Sequence, residues 1–164
     1  MVSAFPDNRR EQYLEKPLPS SEASERVILG AILLDNAVIA EAIEHLKPED
    51  FYSQFNRSVY IAMLSLFEHQ RQIDAILIGE ELKKEGSLEA VGGVTAVANL
   101  ALGLPHFSNV QEYIKVVHDK SVLRQLVRTC NAITSEAVEE QQESADILDH
   151  AEQQIFALAE ARTR

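Results

Sequence analysis

The sequence predicts an all-α fold, a compact globular bundle of about five short helices followed by a long two-helix hairpin. Three observations predict it. Only six Gly and five Pro occur among 164 residues, which favours uninterrupted elements. Good helix formers (Ala, Leu, Glu, Gln and Arg) dominate the second half. Beyond Pro105, no Gly or Pro interrupts the chain to its end.

Taken in order, residues 1–18 are polar and broken by Pro6 and Pro17, and read as a flexible N-terminal arm. A globular helical subdomain is expected over 19–107. Ser21 is a plausible N-cap for a helix over Glu25–Leu34, with Val27, Ile28, Leu29 and Ile32 facing a core. Asp35-Asn36 breaks it and caps a second helix, from Ala37 to about His45. Leu46 to Asp50 is a turn, because a residue before proline avoids the helical region. Ser53 caps a third helix, in which Phe55, Val59, Ala62, Met63 and Leu66 fall on one face. Asp74 caps a fourth, from Ala75 to Glu85, which Gly86 ends. Gly92-Gly93 starts a fifth, running to Leu102, before Gly103-Leu104-Pro105 closes this half.

Residues 108–164 form the hairpin. Ser108 or Asn109 opens its first helix, which carries Leu123, Leu126, Val127, Cys130, Ile133 and Ala137 at helical spacing. The polar stretch Glu139–Ser144 makes the turn. Ile147, Leu148, Ala151, Ile155 and Leu158 then resume the stripe. Two helices side by side bury only part of such faces, and each exposed Leu or Ile forgoes roughly 1.5–3 kcal/mol. Val122, Leu126 and Ile133 lie to one side of Leu123 and Val127, a width that calls for contact on two sides. The expected self-association or partner interface is therefore Leu123, Leu126, Val127, Ile133, Ile147, Leu148, Ile155 and Leu158. The competing reading folds the hairpin back onto the first half to complete one monomeric core.

The formal net charge of −11 argues against tight nucleic-acid binding, so DNA is expected to bind weakly or not at all. Lys120, Arg124 and Arg128 at i, i+4 and i+8 form a basic stripe. It offers a charged contact to a partner, or forms salt bridges with Asp119, Glu112 or acids of the return helix. The single cysteine, Cys130, excludes an internal disulfide, and its apolar neighbours suggest a buried thiol. Without a membrane-length apolar run or a signal pattern, the cytoplasm is the simplest location. No G-x-x-x-x-G-K-[ST], H-E-x-x-H, E-x-x-H or G-x-S-x-G occurs, and Glu41 with His45 reads as a surface pair. No catalytic, metal or cofactor site is expected.

The motif series resembles the N-terminal domain of bacterial replicative DNA helicases, the DnaB family. The resemblance rests on Pro19, Ser21 and Glu25 through Asp35, on Leu46-Lys47-Pro48-Glu49-Asp50-Phe51-Tyr52, on Ile73-Asp74 and on Leu88 through Gly93. Asn109 through Tyr113 and Asp119 through Arg124 continue it, so that it spans roughly residues 18–160 in order. The chain departs from the family pattern at Ala23 and Ala96, where many relatives carry an acid and an aromatic. The resemblance implies a non-catalytic collar domain of a hexameric, ATP-driven DNA helicase. ATP and Mg would belong to a RecA-like motor that follows such a domain. It also implies hairpin pairing between subunits, commonly as a trimer of dimers, and docking of a DnaG-type primase, with a helicase loader as a further candidate partner. A free-standing helical adaptor without a motor is the alternative.

Overall fold

A computed structural model describes residues 16–105 and 109–162. Among them are seven α-helices and two short 3-10 turns, and no strand. The helices are α1 (Glu22–Leu34), α2 (Val38–His45), α3 (Gln54–Glu68), α4 (Ala75–Lys84), α5 (Gly93–Ala98), α6 (Gln111–Glu139) and α7 (Ser144–Arg162). The 3-10 turns are Pro48–Asp50 and Asn99–Ala101. Most of the arm, and the junction at which Ser108 was expected to open the hairpin, lie outside the described residues.

The capping residues read from the sequence set the helix starts. The side chains of Ser21, Ser53 and Asp74 accept hydrogen bonds from the backbone N–H groups of Ser24, Asn56 and Leu77, satisfying donors that a first turn leaves orphaned. α1 consequently begins at Glu22, three residues earlier than the apolar spacing alone suggested. Asn36 ties the α1–α2 corner to the loop that leads into α4: its amide donates to the Ile32 and Ile73 carbonyls and accepts from the Ile73 N–H.

α1 is the central helix. It packs against α2, α3, α6 and the Asn99–Ala101 turn, while α4 lies between α3 and α5. The core runs through Ile28, Leu29, Ile32, Phe51, Tyr60, Met63, Leu66, Ile78, Leu82 and Leu100. Gly30 permits the tightest of these approaches, since a Cβ there would stand 2.3 Å from the Leu100 carbonyl oxygen. That neighbour is backbone and cannot swing away. Gly30→Ala is therefore expected to lower unfolding stability by about 1–3 kcal/mol, despite alanine's better helix propensity. A urea midpoint at or above wild type would contradict it.

The core does not stop at α5. Val110, Ile114 and Val117 belong to it, and Ser121 and Arg124 are buried behind them. The first half of α6 thus belongs to the globular unit rather than to a free hairpin, which projects only beyond about residue 124. The rest of α6 and nearly all of α7 pack principally on each other, and no residue of α7 is fully buried. Glu140, in the left-handed conformation at φ 51°, reverses the chain between them.

Candidate partner interface

The base of the hairpin is set by a buried polar knot. Asp50 has two jobs: one carboxylate oxygen accepts from the Lys47 N–H at 2.7 Å, closing the Pro48–Asp50 turn. The other accepts from the Ser121 hydroxyl of α6 at 2.6 Å. Arg124, one helical turn further on, donates to the Asp50 carbonyl at 2.6 Å and to the Pro19 carbonyl at 2.9 Å. Its guanidinium also lies 5.4 Å from the centre of the Tyr52 ring. Burial pulls the Arg124 pKa down from its usual range, and the nearby Glu25 carboxylate opposes that shift.

Glu25 is the second anchor. Only 1% exposed, it accepts from the Tyr52 and Ser53 N–H groups and from the Asn56 side-chain amide. A carboxylate from α1 therefore takes up donors that lead into α3, where the positive end of the helix favours negative charge. The motif around Pro48 now has a physical reading. Leu46 is buried and its carbonyl accepts from the Tyr60 hydroxyl; Phe51 is buried against the Tyr60 ring with centroids 4.5 Å apart. Burial first, and Asp50 second, push the Tyr60 phenol above its ordinary range. Arg57 holds the Phe51 carbonyl from below.

Beyond this base the hairpin has two apolar sides. Ile133, Ile147, Ala151 and Leu158 are half-buried, and α7 has no extensive packing partner other than α6, so these mark the seam between the two helices. Leu123, Leu126, Val127, Leu148 and Ile155 stay exposed, together with Val138 and Phe156. Leu148 and Phe156 are 69% and 62% exposed, far more than a covered hydrophobe retains. The eight apolar residues expected at the interface thus divide into a seam of three and an open face of five.

Two sequence expectations need correction. Arg124 is not a surface charge: it turns inward onto the Pro19 and Asp50 carbonyls, which breaks the stripe. Lys120 is half-buried and Arg128 exposed on either side of it, while Asp119 pairs with Lys115 at 2.6 Å instead of with the stripe. Cys130 is exposed, because this part of α6 lies beyond the globular half that would have covered it. Sequence reasoning missed two buried pairs, Glu25 with Asn56 and Asp50 with Ser121. Their partners lie up to 71 residues apart, so no local spacing announces them.

This fold has counterparts among known proteins. The family model described as the DnaB-like helicase N terminal domain matches residues 17–119. The chain belongs to this family. It is 34% identical over 152 residues to the replicative DNA helicase DnaB of Geobacillus stearothermophilus, and 33% identical over 144 residues to the replicative DNA helicase DnaC of Bacillus subtilis. Those alignments cover 93% and 88% of this chain but 34% and 32% of the relatives, so the chain spans about a third of their length. The crystal structure of the N-terminal domain of DnaB helicase from Mycobacterium tuberculosis superposes with a TM-score of 0.80 at 30% identity, covering 86% of this chain and 99% of that one. The N-terminal domain of DnaB from Helicobacter pylori, described with its interactions with primase, shares the fold at a TM-score of 0.62 and 23% identity, covering 81% and 98%. The DnaB-type N-terminal domain is therefore all-helical here as well, and no described helix is long and apolar enough to cross a membrane.

Proposed function

We propose that this DnaB-type N-terminal domain self-associates through the open face of its hairpin and so builds the collar of a hexameric replicative helicase. The observation that carries this reading is the exposure of the apolar residues Leu123, Leu126, Val127, Leu148 and Ile155, on a hairpin whose two helices, among the described residues, pack principally on each other beyond its base. A face of this kind covers itself most simply across a two-fold axis, which presents the same patch from both copies. In this reading the domain is non-catalytic, and ATP and Mg are handled by a motor domain of the parent helicase. A DnaG-type primase docks on the assembled collar, as the named interaction of the Helicobacter pylori domain supports. A helicase loader is a further candidate partner.

Leu126→Asp and Ile155→Asp test the reading without touching the core. Each would place two carboxylates in a symmetric interface, at a cost of at least roughly 2 kcal/mol apiece, or about a thousand-fold in the dimer dissociation constant. Light scattering over a range of concentrations is expected to show wild type as a dimer or larger and both variants as monomers. Equal masses for all three proteins would refute the hairpin interface. Titration of a primase C-terminal domain into the wild-type assembly and the monomeric variants then asks whether docking requires the collar.

A further inference from the structure

Two clefts open where the end of α7 returns to the base of α6 and the end of α2. One, of about 360 Å³, is lined by His45, Gln111, Ile114, Lys115, His118 and Arg162. Its neighbour, of about 210 Å³, shares His45, His118 and Arg162 and adds Lys47 and the apolar Leu158. The three shared residues make these two lobes of one depression. We propose that it binds a small phosphate-bearing ligand, no larger than a mononucleotide.

The argument is one of charge in context. Acids outnumber Lys and Arg by 26 to 15 in this chain, yet Lys47, Lys115 and Arg162, with His45 and His118, converge here from three separate segments. No described acid lines the larger lobe: Glu44 and Asp50 line only the smaller one, and Asp119, which pairs with Lys115 at 2.6 Å, lines neither. Arg162 and His118 have no acidic partner among the described residues. The donors are of the kinds that suit phosphate: a planar guanidinium fork, ammonium groups, imidazole N–H and the Gln111 amide. Gln111 also opens α6, whose positive end adds to the field, and Ile114 and Leu158 keep part of the wall dry.

Titration of the whole chain with inorganic phosphate, followed by proton NMR of the histidine ring signals, reads the site directly. The signals are assigned with His→Gln variants, and sodium chloride of matched ionic strength is the control. Saturable shifts are expected at His45 and His118, with His150 and His69, on other parts of the fold, unmoved. AMP is expected to behave likewise. Arg162→Ala and Lys115→Ala should each weaken binding about tenfold, as for loss of one charge-assisted hydrogen bond, while circular dichroism and the melting midpoint stay as in wild type. A dinucleotide, which offers only a phosphodiester, separates the sources: binding as tight as AMP points to nucleic-acid backbone, and much weaker binding points to a free phosphomonoester. Shifts that do not saturate, that affect all the observed histidines equally, or that survive both substitutions would overturn the site.

Discussion

Glu25→Ala is expected to unfold at a markedly lower urea concentration, with a loss of about 3–5 kcal/mol, the range found when one partner of a buried charge network is removed. The carboxylate satisfies three donors at once, from Tyr52, Ser53 and Asn56. Two of these lie at the rim, where water replaces part of what is lost, so the sum falls below the full penalty for three orphaned groups. The Arg124 charge also loses the nearby carboxylate that favours it. Glu25→Gln keeps an acceptor in place and should retain roughly half of the lost stability. A Glu25→Ala midpoint that matches wild type would show that the knot is ornamental.

Arg124→Met should cost a similar amount, about 3–5 kcal/mol, by a different route. Methionine keeps much of the apolar stem but strands the carbonyls of Pro19 and Asp50 and gives up the Tyr52 face. Arg124→Lys is not a mild replacement, because one ammonium cannot reproduce a fork that reaches two carbonyls. The two sites are coupled: a Glu25→Gln, Arg124→Met double variant should lose less than the sum of its parts, by roughly 0.5–3 kcal/mol. Strict additivity in denaturant unfolding would mean that the two charges do not sense each other. Because Arg124 pins α6 rather than the core itself, its variants should also lose protection from hydrogen exchange first around residues 46–53.

Much of this fold was legible because helix starts leave local marks. Ser21, Ser53 and Asp74 stand where a side-chain oxygen meets a first-turn N–H, and all three caps are present. Gly86, at φ 73°, ends α4 as its position suggested, and the polar run after Glu139 does reverse the chain. Spacing was less informative about what lies against a face. Lys120, Arg124 and Arg128 do share one side of α6, but spacing could not reveal that the Pro48–Asp50 turn sits on the middle one. The same blindness explains Cys130, whose neighbours are apolar along the helix although its side chain is exposed among the described residues. The width of the hairpin stripe was more revealing than its membership. It called for two contacts, and one is the seam that half-buries Ile133, Ile147 and Leu158.

α6 serves two bodies at once. Its first half is fastened into the globular core through Ile114, Val117, Ser121 and Arg124, and the same continuous rod then runs out past the knot to Glu139. At a rise of 1.5 Å per residue the free part reaches roughly 20 Å, so a tilt of about 10° at the anchor would sweep the tip through roughly 4 Å. The helix is in effect a lever with its fulcrum at the Asp50–Ser121–Arg124 contacts. Any binding event that loosens or tightens that fulcrum would be felt, magnified, by whatever grips the far end.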